Sequence, residues 1–292
     1  MKDVNIFKCT GNEQDRIPDS LLGELGFNYA EANSDTQKMA LLSKAIKEHQ
    51  NKSYCTLPFC HTVEAEAFGS SIILSNEVGN RIAKYAINAN DDFDKIKKID
   101  CNSGRIFRVL ESIKILKSQG EKVCLDVTGP ISLATSIMDS QMFYKSVRKD
   151  KEKIGKLMEI IEGSIVEFML KAAELGVDII SYADPTGTID IVGPKMYQDL
   201  SGPSTYRILK RVENKLGNTV IHICGKTSTS LEAIELLEIE KIETEGNNYG
   251  EMLARIKEDR NDIRFIGHWC MKLDKANLKG AVSKCVLLEK EQ

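Results

Sequence analysis

The sequence has few histidines, prolines and aromatic residues, and it lacks both a long apolar run and an excess of positive charge. Of its 292 residues, only four are histidine, six are proline and one is tryptophan. No stretch approaches the roughly 18 consecutive apolar residues that a membrane-spanning helix needs. The net charge of −3 leaves no basic footprint for nucleic acid. We therefore expect neither a membrane nor nucleic acid as a partner.

The eight cysteines do not form a disulfide framework. They are scattered along the chain, with no C-x-x-C pair among them. The N-terminal stretch MKDVNIFKCTGNEQDR also lacks the apolar core of about 7–15 residues that marks a secretory signal. We therefore expect a cytoplasmic protein in which most cysteines are free thiols, and a buried free thiol usually behaves as a small apolar side chain. A functional role for any one cysteine must come from its neighbours.

Short apolar runs alternate with longer amphipathic ones along most of the chain. This alternation predicts βα units and a parallel sheet. The predicted strands are 53–59, 122–129, 177–184, 218–225, 241–246 and 263–270, with a weaker candidate at 70–75. The strongest helical periodicity lies at 36–49, 103–119 and 151–176.

These elements predict one α/β domain over residues 1–292. A helical or irregular segment is expected at 1–50, and a (β/α)-type barrel of irregular form at 51–292. Pro58 lies at the end of a predicted strand, and Pro130 and Pro185 each follow one directly, which indicates loops clustered on one face of a single domain. An open doubly wound sheet is the alternative, but no G-x-G-x-x-G motif follows the first strand.

Two of the four histidines occur in the same H-x-C arrangement at the end of a predicted strand. His222 precedes Cys224 in this way, and His268 precedes Cys270. Because residues i and i+2 of a strand point to the same face, we expect the side chains of each pair to project together. Imidazole nitrogen and thiolate sulfur are ligands that zinc prefers, and the C-terminal strand ends of a βα barrel meet around one active-site mouth. The alternative is ordinary packing with hydrogen-bonded histidines.

Carboxylates follow two other predicted strands. Asp184 ends the strand at 177–184, where it could orient a substrate, act as a base or approach a metal; a helix-capping or loop-bracing role is the alternative. Glu64 and Glu66 follow the first strand. Because positions two apart on a helix diverge, we expect at most one of these two to face a site.

Five blocks of sequence add a further observation, because they occur together and in a particular order. They are LPFCHTVEAEAFGS, DVTGPISLATSIM, YADPTGTIDIVGPKMY, VIHICGKTSTSLEAI and GHWCMKLDKANLKGAV, between about residues 54 and 283. In residues and order these blocks resemble the uroporphyrinogen decarboxylase superfamily. Within that superfamily they look most like the zinc-dependent methylcobamide:coenzyme M methyltransferase branch.

The resemblance implies a (β/α)8-type (TIM) barrel and a catalytic Zn2+ held by His222, Cys224 and Cys270. The stretch between HICG and GHWC is shorter than in the methyltransferases by about one βα unit, so we expect a shortened or irregular C-terminal half. The decarboxylases carry an arginine-rich N-terminal segment. The matching region here, GNEQDRIPDSLLGELGF, has a single arginine, and we do not expect tetrapyrrole decarboxylation.

The chemistry that the resemblance implies is transfer of a methyl group between a corrinoid and a thiol or another small acceptor or donor. The corrinoid would be carried by a separate small protein. Asp184 and Glu64 are the expected polar groups of the pocket, and His268 is expected to donate a hydrogen bond beside the metal. A fourth-ligand or structural role for His268 stays open, as does the direction of transfer. Other zinc chemistry on the same fold, with Asp184 as base, and a non-catalytic member are the alternatives.

Overall fold

The structure is a computed structural model that describes residues 2, 4–8, 17–76, 79–273, 276–278 and 280–289. The α-helices are α1 Asp19–Leu25, α2 Tyr29–Ala32, α3 Thr36–His49, α4 Val63–Ala67, α5 Gly104–Ser118, α6 Pro130–Ile137, α7 Ser140–Lys149, α8 Lys151–Glu174, α9 Ile189–Val192, α10 Pro194–Met196, α11 Gly202–Val212, α12 Gly225–Ala233 and α13 Tyr249–Asp259. The strands are β1 Cys55–Leu57, β2 Ser71–Ile73, β3 Arg81–Lys84, β4 Val123–Thr128, β5 Ile179–Ala183, β6 Val220–Cys224, β7 Leu237–Glu243, β8 Phe265–Trp269 and β9 Ala281–Leu287.

The central sheet begins with five parallel strands whose spatial order follows their order along the chain. The order is β1-β4-β5-β6-β8, and each neighbouring pair is parallel. A doubly wound sheet would reverse its strand order near the middle. This sheet does not reverse, so the barrel-type prediction is confirmed for this half of the molecule, and the carboxyl ends of all five strands lie at one edge.

The C-terminal half is irregular, as predicted from its length. After β8 the chain adds β9 antiparallel to it, and β9 in turn pairs antiparallel with β7 at the end of the sheet. The strand predicted at 241–246 is therefore β7, shifted to 237–243 and displaced from its expected place beside β6. β9 was not predicted, and its AVSKCVL sequence does not alternate apolar and polar residues.

Helices pack on both faces of the parallel strands. Strand residues such as Leu125, Ile180 and Ile221 belong to the large core that contains helices α5, α8 and α11. Their neighbours in the strands, including Ile179 and Val220, point the other way and form a second core with α13. A regular barrel fills that inner face with strand side chains alone, whereas here a helix occupies part of it.

The other predicted elements can also be compared with the structure. Helices α3, α5 and α8 confirm the three strongest helical predictions, and the weak strand at 70–75 is β2, which pairs with β3 in a separate hairpin. The division of the chain at residue 50 stays a prediction. Residues 9–16, with the single arginine discussed above, and parts of the DKANLKG stretch lie outside the described residues. No helix in the described part of the chain is long and apolar enough to cross a membrane.

Candidate functional site at the carboxyl edge of the sheet

The first predicted metal ligand, His222, lies on the inner face of β6 and is 1% exposed. Its Nε2 is 2.8 Å from the hydroxyl oxygen of Tyr249 at the start of α13, and the two rings meet edge to face. Its Nδ1 is buried and has no hydrogen-bond partner. Burial lowers the pKa of His222 to about 3, so the imidazole is neutral at physiological pH.

The two predicted cysteine ligands come together from different strands. Cys224 ends β6, and Cys270 follows the last residue of β8. A hydrogen bond between the two thiol groups, together with burial, raises the pKa of Cys270 above its usual range. Without a cation between them, two neighbouring thiols favour the protonated form, because a second thiolate would repel the first.

The three predicted ligands match the chemistry of a zinc site, but their side chains are not arranged around one metal position. Two thiols in contact and a neutral imidazole with an unpaired nitrogen are a typical zinc donor set. Within the described residues, however, no group of three or more His, Cys, Asp or Glu side chains is arranged to hold a metal ion. The ligand set His222, Cys224 and Cys270 therefore stays a prediction.

The second H-x-C pair does not project together, which corrects that part of the sequence prediction. His268 has a positive φ of 62°. From the pair His222–Ile266 to the pair Cys224–Trp269, β6 advances by two residues and β8 by three. This bulge turns His268 away from Cys270, so that its Nε2 lies 2.7 Å from the carboxylate of Glu232 on α12. Its Nδ1 is also buried without a partner. Any role for His268 at the metal stays untested.

Asp184 has the bracing contacts that the sequence left open as its alternative. Its carboxylate accepts hydrogen bonds from the backbone N–H groups of Ile131 and Ser132 in the first turn of α6, at 3.1 and 2.7 Å. The Cβ that Gly129 lacks would lie 2.3 Å from the Cβ of Asp184, so the close approach depends on this glycine. Asp184 is 1% exposed, and burial raises the pKa of its carboxyl. These contacts hold the loops after β4 and β5 together, and a catalytic role for Asp184 stays a prediction.

Glu64 and Glu66 diverge, as predicted. Glu64 is 2% exposed, and its Oε1 accepts a hydrogen bond from the backbone N–H of Thr128 at 2.9 Å. Its Oε2 is buried and has no hydrogen-bond partner. Glu66 instead forms an ion pair with the buried guanidinium of Arg105. Of the two, Glu64 is therefore the candidate for a polar group in the pocket, and this role remains a prediction.

Three residues of the site were missed by the sequence analysis. Tyr249 contacts His222, and Trp269 and Phe7 form edge-to-face ring pairs beside it. The Phe7 ring lies on Gly225, where an added Cβ would come within 2.6 Å of it. The only signal in the sequence was Trp269, the single tryptophan, between His268 and Cys270. Tyr249 and Phe7 carry no local motif, because only the fold brings them to the strand ends.

Asp126 is another group that the sequence analysis did not single out. It lies on the inner face of β4, paired in register with Ser181, which in turn pairs with His222. Burial raises the pKa of the Asp126 carboxyl, although interactions with His61, Ser181 and Lys272 oppose this effect. The carboxyl edge of the sheet therefore carries thiols, an imidazole and a half-buried carboxyl on adjoining strands.

A singly wound parallel sheet with its polar side chains at the carboxyl edge defines a protein of the TIM-barrel type. The sequence model of the family described as Uroporphyrinogen decarboxylase (URO-D) matches residues 22–292. The chain belongs to this family.

The curated relatives include methylcobamide:CoM methyltransferases. The chain is 28% identical over 214 residues to methylcobamide:CoM methyltransferase MtbA of Methanosarcina acetivorans. This match covers 72% of the chain and 63% of that relative. It is 28% identical over 222 residues to methylcobamide:CoM methyltransferase MtaA of Methanosarcina barkeri, with 72% and 62% covered. The chain thus spans less than two thirds of the length of either relative.

A solved structure confirms the fold. The structure of a methyltransferase from Methanosarcina mazei superposes with a TM-score of 0.65, at 23% identity, over 74% of this chain and 64% of that one. At this level of identity the match concerns the fold alone.

Proposed function

We propose that the chain is a zinc-dependent corrinoid methyltransferase. It would move a methyl group between a corrinoid protein and a thiol or other small methyl acceptor or donor. The observation that carries this proposal is the contact between the Cys224 and Cys270 thiols, beside an imidazole whose Nδ1 is unpaired. The relatives named methylcobamide:CoM methyltransferases support the reaction class.

The proposed ligands are the sulfur atoms of Cys224 and Cys270 and one nitrogen of His222. Two thiolates and a neutral imidazole would balance the charge of Zn2+, so that the raised pKa of Cys270 would no longer apply once the metal is present. When bound, zinc would lower the pKa of a substrate thiol and keep its sulfur as a nucleophilic thiolate. A thiol without such help has a pKa of about 8.5 and is mostly protonated at neutral pH.

The surroundings of the proposed ligands favour a site that limits access of water. Trp269 and Tyr249 pack at one side, and the Phe7 ring covers Gly225 directly after Cys224. We assign Glu64, with its unpaired buried oxygen, to the polar wall of the pocket. Asp184 would act indirectly, by holding the start of α6 in place. The corrinoid protein would dock at the carboxyl edge of the sheet, in the cytoplasm.

The test is zinc content and methyl transfer in three chains: the wild type, Cys270→Ser and Cys101→Ser. Cys101 is a matched control because it is 1% exposed and lies before α5, away from Cys224. We expect about one zinc per chain in the wild type and in the control, and much less in a folded Cys270→Ser chain. Methyl transfer from methylcobalamin to a small thiol should be lost only in Cys270→Ser. A folded wild type that binds no zinc after reconstitution would contradict the proposal. Zinc-dependent hydrolysis without methyl transfer would favour the alternative zinc chemistry.

A further inference from the structure

The hydrogen bond between His222 and Tyr249 leaves one question about the imidazole, namely which nitrogen carries its proton. Both residues are 1% exposed, and the Nε2 to Oη distance is 2.8 Å. A phenol hydroxyl can either donate or accept. If Nε2 accepted the bond, the proton would lie on Nδ1, which is buried without a partner. That tautomer would leave no imidazole nitrogen free to bind a cation.

In the other tautomer the proton lies on Nε2, and Nδ1 keeps a lone pair. In that form Nε2–H donates to the Tyr249 oxygen, and Nδ1 is the only imidazole nitrogen able to bind a cation. Imidazole ligands of metals typically donate their second N–H to a fixed acceptor, which sets both the tautomer and the ring orientation. Tyr249 has the position that such an acceptor needs.

Tyr249 is itself fixed from several sides. Its ring contacts Trp269 edge to face at a centroid distance of 6.2 Å, and its backbone N–H donates to the carbonyl of Ala276 at 3.0 Å. Ala276 lies in the segment that follows Cys270. The residue therefore connects the imidazole on β6 with the chain that carries the second thiol. It begins α13, between β7 and β8, so this contact belongs to the irregular half of the chain.

We propose that Tyr249 is the positioning residue of the zinc site, and that it holds His222 so that Nδ1 is the metal-binding nitrogen. This inference rests on the proposed function, because it needs the metal at His222. Beyond that function, it assigns Nδ1 of His222 as the metal-binding atom and Tyr249 as the residue that orients the imidazole.

The test compares Tyr249→Phe with Tyr182→Phe in the full-length chain. Tyr249→Phe removes the hydroxyl and keeps the ring. Tyr182 is a matched control because it is fully buried and its hydroxyl donates to Thr205 at 3.3 Å, on the face of the sheet that packs against the outer helices. Zinc affinity is measured by competition with a chromophoric chelator. We expect a loss of about 10–100-fold for Tyr249→Phe, as is typical when the partner of a ligating histidine is removed, and no change for Tyr182→Phe.

A second measurement does not depend on how well the variant folds. Two-bond 1H–15N spectra of the wild-type chain, before and after zinc is added, report the protonated nitrogen of each histidine. The His222 signal is assigned by its loss in His222→Gln. We expect Nε2–H in the zinc-bound state, with Nδ1 shifted on binding.

The outcomes separate this inference from the proposed function. Wild-type zinc binding with an unchanged affinity in Tyr249→Phe, or with the proton on Nδ1, would overturn the inference and leave the function standing. Tight zinc binding that depends on Tyr249, without any methyl transfer, would overturn the function and support the inference. A wild type that binds no zinc would overturn both.

Discussion

The two H-x-C pairs have the same sequence pattern and opposite geometries. His222 and Cys224 lie on β6, the strand of the pair without the extra residue, and face the same side of the sheet. His268 and Cys270 lie at a bulge, where a positive φ turns the histidine towards Glu232 while the cysteine contacts the other thiol. Side-chain alternation is a property of a paired strand, so a one-residue irregularity removes it. The pattern therefore predicts a shared face only where its residues are not part of a bulge.

The largest contrast is expected when each histidine is replaced in turn. His222→Gln should lower zinc affinity by more than about 100-fold, because it removes a proposed ligand. His268→Gln should leave zinc affinity unchanged. It should instead lower the free energy of unfolding by about 1–3 kcal/mol, because Glu232 loses a buried hydrogen-bond partner. Chelator competition and urea unfolding provide the two measurements. Equal zinc loss in both variants would mean that His268 also binds the metal.

The bulge itself can be tested at Gly267. An added Cβ would lie 2.6 Å from the sulfur of Cys285 and 2.9 Å from the Cβ of Ser228, so Gly267→Ala should destabilise the chain by about 1–3 kcal/mol. Gly155 is the matched control, because it lies inside α8 with no atom within 4 Å of an added Cβ. Gly155→Ala should stabilise the chain by about 0.5–1 kcal/mol. Urea midpoints of the two variants that shift in the same direction would disprove the packing argument.

A smaller contrast is expected in the pH dependence of the zinc-free chain. The folded-state pKa of His222 is about 3, below the usual 6.5, so the unfolded chain binds the proton more readily. Stability that depends on neutral His222 is present above pH 6.5 and is lost as the pH falls. Between pH 7 and pH 5 this loss amounts to about 2 kcal/mol. The His268 pKa is also lowered, chiefly by burial, but hydrogen bonding to Glu232 opposes the shift. Urea unfolding at both pH values should therefore show a weaker pH dependence in His222→Gln than in His268→Gln.

Much of the regular half was predictable because local pattern and fold agree there. Strands β1, β4, β5, β6 and β8 were all predicted, since each is a short apolar run bounded by turn residues, and helices α3, α5 and α8 have clear apolar periodicity. In the irregular half β9 was missed and β7 was misplaced. The pairing of β9 with both β8 and β7 is set by contacts between distant segments.

The candidate site divides in the same way. The sequence singled out both H-x-C pairs and the resemblance named three ligands, and the structure brings two of them, Cys224 and Cys270, into contact. The sequence could not identify Tyr249 or Phe7, which reach the strand ends from other parts of the chain. The sequence also could not distinguish a catalytic role of Asp184 from a bracing one. That choice depends on the backbone N–H groups of α6, which only the packed loops place within reach.

The sequence by itself determined the α/β class, the run of parallel strands and the edge of the sheet where polar side chains collect. These follow from periodicity and strand ends, which are local properties of the chain. Only the tertiary structure decided that β8 bulges, that α13 occupies the inner face and that Tyr249 meets His222. Each of these depends on which distant residues share a buried space, and that balance of packing and hydrogen bonding is not contained in any short stretch of sequence.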